Sequence, residues 1–176
     1  MAAANDWYVL TGGPGAGKTM VLTALAERGY HTVPEAARVH VEHGFALGKK
    51  IEEIRADEAA FQRELIRLKV AVEQAVPKTM PVFFDRGMHD SLTYLGLQGV
   101  HNDPELAIAV SNATYQKAFH LEMIALEDDG VRTETQAEAE QIHADLRSAY
   151  EQAGIPVEAV PVMPVEERVN FILERL

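Results

Sequence analysis

Residues 12–19 read GGPGAGKT, a glycine-rich stretch that ends in a lysine and a threonine. The five residues before it, 7–11, read WYVLT and form a largely apolar run typical of a buried parallel strand. After the octad, Val21 and Leu25 recur at helical spacing, and Gly29 is expected to end the helix. The stretch therefore predicts a strand, a tight glycine-rich turn and a helix, in that order.

This octad matches the pattern G-x-x-x-x-G-K-[ST] of a phosphate-binding loop, or P-loop. Its glycines let successive backbone N–H groups turn inward, and the helix N-terminus adds positive partial charge. We expect Lys18 to reach the β- and γ-phosphates of a nucleotide and the Thr19 hydroxyl to ligate Mg²⁺. A chance match by a glycine-rich turn is the alternative, and the flanking strand and helix argue against it. The predicted nucleotide-binding residues are Gly13, Pro14, Gly15, Ala16, Gly17, Lys18 and Thr19.

Length and composition predict a small cytoplasmic protein with one domain over residues 1–176. The chain is 47% hydrophobic and 24% charged, which is ordinary for a globular protein. It has no cysteine, so neither a disulfide framework nor a thiolate metal site is available. Its formal net charge of -11 repels polyanions, and no apolar run is long enough for a bilayer. We expect no nucleic-acid or membrane partner, and a monomer and a homodimer are both compatible with the sequence.

Predicted strands and helices alternate along the rest of the chain. The further predicted strands are 30–33, 81–84, 117–123 and 155–160. The predicted helices after the first are 35–47, 55–76, 88–97, 104–112, one opened by the Thr135–Glu138 capping box, and one starting at Pro164. This order predicts an α/β fold: a three-layer P-loop NTPase sandwich whose five-stranded parallel sheet carries helices on both faces.

Ligands on such sheets bind at the carboxyl ends of the strands, where Asp85 and Arg86 follow an apolar strand. Asp85 is positioned to hold Mg²⁺ together with Thr19, and Arg86 to neutralise charge on a phosphoryl group. Alternatively, Asp85 caps the next helix and Arg86 pairs with a surface acid. Asp90, on that helix, is a further substrate-binding candidate, with an ordinary exposed acid as the alternative.

The second predicted strand ends just before Glu35 and Arg38, which lie one helical turn apart on the same face. Glu35 could accept a proton from a substrate hydroxyl, while Arg38 could hold an anionic substrate group. A surface salt bridge between the two is an equally good interpretation.

A polar loop around Arg132 separates the fourth predicted strand from the capped helix. We interpret residues 124–135 as a lid that lowers Arg132 onto the transferring phosphate, with Gly130 as hinge. An exposed arginine that balances the neighbouring acids is the alternative.

Taken together, these motifs resemble a family of small predicted P-loop ATPases or kinases. This family is related to the ribosylnicotinamide-kinase domain of the bacterial NAD regulator and, more distantly, to deoxynucleoside kinases. The resemblance rests on TGGPGAGKT at 11–19, EAAR at 35–38, FDRG at 84–87 with Asp90, DGVR at 129–132 and the segment 160–173. It implies a kinase-like lid, a substrate-side helical region at about 35–76, and Glu35 at the place of the deoxynucleoside kinases' base. Their third-strand motif has a glutamate where this chain has Asp85, so the division between metal binding and base catalysis stays open.

The predicted function is an ATP-dependent phosphotransferase, a small-molecule kinase that uses Mg²⁺ and an acceptor of nucleoside-like chemistry; GTP is the alternative donor. The predicted catalytic residues are Lys18, Glu35, Asp85, Arg86 and Arg132. The alternative is a nucleotide-switched ATP- or GTP-binding regulatory protein with slow hydrolysis. A polynucleotide 5′-end kinase fits poorly, because the chain is acidic and lacks a basic stripe.

Overall fold

The computed structural model describes residues 5–124 and 135–176. The described strands are β1 (Trp7–Thr11), β2 (His31–Val33), β3 (Val82–Asp85), β4 (Lys117–Leu121) and β5 (Val157–Val160). The described helices are α1 (Lys18–Glu27), α2 (Ala36–Ala46), α3 (Ile51–Ile54), α4 (Glu58–Ala75), α5 (Asp90–Gly96), α6 (Pro104–Asn112), α7 (Gln136–Gln152) and α8 (Val165–Leu173). Arg132 and almost all of the predicted lid at 124–135 lie outside the described residues.

The sheet has the strand order β2-β3-β1-β4-β5, and every pairing is parallel. The predicted five-stranded parallel sheet is therefore confirmed. Leu10 of β1 pairs with Asp85 of β3, and Thr11 pairs with His120 of β4. This register brings the carboxyl ends of three central strands to one edge, directly beside the loop at 12–19.

Alternating side chains of the strands enter two cores, which is why the strands read as continuous apolar runs. Trp7 and Val9 pack in the core beneath α4, α5, α6 and α7. Tyr8 and Leu10 pack in the opposite core beneath α1 and α8. Helices thus cover both faces, and the predicted three-layer sandwich is confirmed.

Several described elements differ from the sequence-based expectation. The predicted helix 55–76 begins only at Glu58, because Asp57 accepts a hydrogen bond from the Ala60 N–H and caps it. The short α3 before it was not predicted. The strand expected at 117–123 ends at Leu121.

No helix within the described ranges is both long and apolar enough to cross a membrane.

Candidate functional site

The loop at 12–19 adopts the tight turn that its glycines predict. Gly12, Gly15 and Gly17 have positive φ angles of 132°, 74° and 79°. A Cβ atom at Gly12 would lie 2.6 Å from the Leu121 carbonyl oxygen, so only glycine lets the loop pass this close to β4. The glycines are thus required by backbone geometry as well as by the need to expose N–H groups.

Lys18 is buried behind this loop, and its Nζ donates hydrogen bonds to the carbonyl oxygens of Gly12 and Gly13 at 2.9 and 3.0 Å. Burial, with the nearby Arg86 guanidinium, lowers the pKa of Lys18 from 10.5 to about 7. A bound anion should raise this lowered pKa again, because phosphate oxygens stabilise the charged form of the lysine.

Thr19 and Asp85 meet across the start of α1 and the end of β3. The Thr19 Oγ1 donates to Asp85 Oδ2 at 3.2 Å, although 66 residues separate the two in sequence. Asp85 is buried, and its Oδ1 has no hydrogen-bond partner among the described residues. Burial also raises the pKa of Asp85. A hydroxyl and an unsatisfied carboxylate oxygen fit the oxygen donor set that Mg²⁺ prefers.

Arg86 follows β3 in a backbone conformation unusual for a side-chain-bearing residue, with φ of 65°. Such a conformation costs on the order of 1 kcal/mol and persists where neighbouring contacts enforce it. The backbone N–H donates to the Leu10 carbonyl at 3.0 Å, and the Nε donates to Glu35 Oε1 at 3.0 Å. The guanidinium also lies over the Tyr94 ring, 4.9 Å from its centroid. The turn thus directs the guanidinium toward α2 and the loop.

Asp90 is fully buried, and both of its carboxylate oxygens accept hydrogen bonds from other residues of the protein. Its Oδ1 accepts from the Thr11 hydroxyl at 2.6 Å, and its Oδ2 accepts from the Gly87 N–H at 2.8 Å and from the Tyr150 hydroxyl. Neither oxygen faces solvent, which argues for a positioning role and against the predicted substrate contact. Since Asp90 also lies 3.5 Å from Arg86 Nη1, it supports the turn that carries that arginine.

An open cleft of about 470 Å³ lies beside the loop, and Pro14, Glu35 and Arg86 line it. Glu35 keeps about a third of its side chain exposed there. Arg38 is exposed and does not line the cleft, unlike Glu35. Several polar and aromatic residues that the sequence motifs do not indicate also line the cleft: Arg55, Glu58, Phe61, Gln62, Lys69, Tyr94 and Gln98.

Lys69 shows why those residues were missed. On sequence it is one of several polar positions of the amphipathic α4. In the fold its Nζ donates to the Gly87 carbonyl and to the Ser91 hydroxyl, both at 2.9 Å. In the sequence Lys69 is only one of several charged residues near the end of the predicted substrate-side region, and no motif distinguishes it from the others.

Arg168 of α8 supports the loop from the other side. It is buried, and it donates to the carbonyl oxygens of Ala16 at 2.5 Å, Glu122 at 3.0 Å and Pro161 at 3.0 Å. Its guanidinium therefore joins the loop to the segments that follow β4 and β5. The sequence analysis assigned it no role.

A third group contacts Gly13. The Gly13 N–H donates to His143 Nδ1 at 3.0 Å, and His143 Nε2 lies 3.4 Å from Glu122 Oε2. The His120 ring lies against the His143 ring, with centroids 3.9 Å apart. One ligand atom from each of His120, Glu122 and His143 lies within 4.8 Å of the others, a spacing seen at metal sites.

Comparison with solved structures finds the same architecture in nucleoside and nucleotide kinases. A deoxyadenosine kinase from M. mycoides with dCMP and dCDP bound has a TM-score of 0.65 at 12% identity, over 96% of this chain and 97% of that chain. A thymidylate kinase from Ehrlichia chaffeensis has a TM-score of 0.66 at 11% identity, with coverage of 96% and 97%. The NadR protein in complex with NR has a TM-score of 0.68 at 15% identity, over 96% of this chain but 49% of that chain. At such identities the similarity establishes the fold.

Curated proteins yield no sequence match. A family model does: the model AAA_28, described as an AAA domain, matches residues 7–168, which include the loop at 12–19, Glu35, Asp85 and Arg168. The chain therefore belongs to the AAA_28 family of P-loop domains.

Proposed function

We propose that this protein is an ATP-dependent phosphotransferase that acts on a small acceptor of nucleoside-like chemistry. The observation that carries the proposal is the open cleft beside the loop at 12–19, in which Glu35 and Arg86 form a hydrogen-bonded pair. A kinase needs such space for a second substrate next to the nucleotide phosphates. A nucleotide switch does not need it.

On the donor side, the loop at 13–19 binds the phosphates of ATP through the backbone N–H groups of residues 15–19 and through Lys18, while the Gly13 N–H is donated to His143. Thr19 and Asp85 are the residues that would hold Mg²⁺, in keeping with their contact and with the unsatisfied Asp85 Oδ1. When bound there, Mg²⁺ would neutralise charge on the phosphate oxygens.

On the acceptor side, Glu35 orients the attacking hydroxyl and accepts its proton, since its carboxylate is part-exposed in the cleft. Arg86 stabilises negative charge on the transferring phosphoryl group. Its hydrogen bond to Glu35 fixes the relative positions of the guanidinium and the carboxylate. On the basis of the sequence alone, Arg132 is proposed to stabilise the negative charge on the same phosphoryl group. Arg38 has no place in this site, because it is exposed outside the cleft.

The nucleoside-like acceptor is inferred from the lining of the cleft. Phe61 and Tyr94 provide aromatic surface, while Gln62 and Gln98 provide amide donors and acceptors. Aromatic surface beside amide and charged side chains suits a heterocyclic base joined to a sugar. The relatives in fold include a deoxyadenosine kinase and a thymidylate kinase, which supports the same class.

Transfer of the γ-phosphate from labelled ATP or GTP to nucleosides, deoxynucleosides, nucleoside monophosphates and nicotinamide riboside tests the proposal. We expect one acceptor to be labelled by the wild type and not by Lys18→Ala or Glu35→Gln. Arg38→Ala serves as the matched control. Tight nucleotide binding with no labelled acceptor would favour the switch instead.

A further inference from the structure

His143 of α7 contacts the P-loop directly. Its Nδ1 accepts a hydrogen bond of 3.0 Å from the Gly13 N–H, across 130 residues of sequence. The contact is closely packed: a Cβ atom at Gly13 would lie 3.1 Å from the His143 Cβ and 2.9 Å from the Met123 Sδ. The imidazole therefore constrains the second residue of the loop.

This hydrogen bond defines the protonation state of the ring. A nitrogen that accepts a hydrogen bond carries no proton, so the neutral His143 ring carries its proton on Nε2. That nitrogen lies 3.4 Å from Glu122 Oε2, a suitable acceptor. His120 lies against the ring, and its Nε2 contacts the His143 carbonyl at 2.9 Å. The ring is thus oriented from several sides.

The same argument weighs against a metal at the His120, Glu122 and His143 group, despite its spacing. His143 Nε2 holds the proton and His143 Nδ1 is occupied by Gly13. A metal ion would have to displace one of them. The contacts are those of an oriented hydrogen-bond acceptor.

We propose that His143 is a positioning residue of the nucleotide site, whose neutral imidazole holds Gly13 in the phosphate-binding conformation of the loop. The inference rests on the proposed nucleotide-binding function of that loop. Loss of the acceptor, by substitution or by protonation, leaves the Gly13 N–H without this partner and loosens the loop.

The groups around His143 determine when it protonates. Burial lowers its pKa below the ordinary 6.5, the charges of Lys18 and Arg147 lower it further, and Glu122 raises it; His120 lies against its ring. Because the folded pKa is lowered, the neutral form and its contribution to stability are present above pH 6.5. They are lost as the pH falls through the folded pKa. The His143 contribution to nucleotide affinity should therefore be lost on acidification. Protonation of Lys18, whose pKa is about 7, has the opposite effect on phosphate binding, so the histidine effect is measured as the affinity of wild type relative to a variant without the imidazole.

Three variants separate the hydrogen bond from the titration. In His143→Asn, the side-chain Oδ1 can replace Nδ1 as acceptor and does not titrate, whereas His143→Leu has no acceptor. His143→Gln places its acceptor one bond further out. Calorimetry with MgAMP-PNP at pH 5 to 8 should show His143→Asn within about threefold of wild type at pH 8. Its affinity should rise relative to that of wild type as the pH falls toward 5, because only the histidine is protonated and loses its acceptor. His143→Leu and His143→Gln should bind about 5- to 10-fold more weakly at pH 8.

NMR provides a readout that needs no nucleotide. Nitrogen-15 correlation spectra of the imidazole should show His143 as the Nε2–H tautomer, and hydrogen exchange at the Gly13 amide should accelerate in His143→Leu. An Nδ1–H tautomer, or unchanged exchange in a folded His143→Leu, would overturn the inference. So would equal affinities of wild type and His143→Leu, or a Zn²⁺ titration that shifts both histidine rings at micromolar concentration. If wild type binds no nucleotide at any pH, the proposed function fails, while the tautomer and the Gly13 exchange still decide the role of His143.

Discussion

The Thr19 hydroxyl donates a 3.2 Å hydrogen bond to Asp85 and so joins the first turn of α1 to the carboxyl end of β3. Asp85 sits in this position because β3 pairs in parallel with β1, in a register that aligns Asp85 with Leu10. Its second oxygen, Oδ1, is buried and has no hydrogen-bond partner among residues 5–124 and 135–176. This pair is the strongest structural argument for a cation beside the P-loop.

Asp85→Asn tests that argument. We expect phosphoryl transfer to fall on the order of 10²-fold, because the substitution removes a charge aimed at the reacting phosphates. Burial raises the pKa of Asp85, so the charged carboxylate destabilises the folded state at pH values above its usual titration range. We therefore expect the neutral amide of Asp85→Asn to unfold at a temperature no lower than that of the wild type. Transfer rates across a Mg²⁺ series and thermal unfolding at pH 7 measure the two effects. Glu27→Gln, on the exposed end of α1, is the control, and full activity of Asp85→Asn would contradict the assignment.

Lys18 predicts a proton uptake on nucleotide binding. With a pKa of about 7 in the free protein, Lys18 is largely neutral at pH 8, and bound phosphates should restore its charge. Binding at pH 8 should then take up close to one proton, and the uptake should disappear near pH 6, where the lysine is already charged. Calorimetry in buffers of different ionisation enthalpy measures this number. Lys18→Arg, which stays charged, should show none; a wild type without uptake at pH 8 would refute the expectation.

Glu35 and Arg38 make a matched pair of substitutions one helical turn apart. Glu35→Gln should reduce kcat by about 10²- to 10⁴-fold with little change in ATP affinity, because a general base acts on the acceptor. Arg38→Ala should change either quantity by about twofold or less, as at other exposed sites. Steady-state kinetics with a labelled acceptor separate the two. A large loss in Arg38→Ala would restore it to the acceptor site.

Tyr150→Phe tests the support of the Arg86 turn. The hydroxyl donates to Asp90 and accepts from the Gly87 N–H at 3.2 Å, in a fully buried position. Its removal should lower the free energy of unfolding by about 1–2 kcal/mol, because buried partners lose hydrogen bonds. Chemical denaturation measures the change, with Tyr30→Phe at a part-exposed ring as comparison. Equal stability of Tyr150→Phe and wild type would remove Asp90 from its positioning role.

The contrast between Asp85 and Asp90 shows which positions can be inferred from the sequence. Asp85 could be placed because a parallel strand presents its last residue at a known edge of the sheet. Asp90 was a substrate-binding candidate with an ordinary exposed acid as the alternative, and both interpretations assume an exposed side chain. The contacts of Thr11, 79 residues away, and Tyr150, 60 residues away, reveal that its carboxylate is enclosed. The same reason explains Arg38, since helical spacing places it near Glu35 without showing which side of α2 faces the cleft.

The sequence alone determined the phosphate-binding loop, the five-stranded parallel sheet and the edge at which the site lies. These features depend on local backbone preferences and on contiguous apolar runs, which neighbouring residues encode. Tertiary structure alone decided that Glu35 pairs with Arg86, that Arg168 and His143 hold the loop from behind, and that Lys69 binds the turn after β3. Each of these contacts joins groups from separate elements, so it exists only after the helices pack on the sheet.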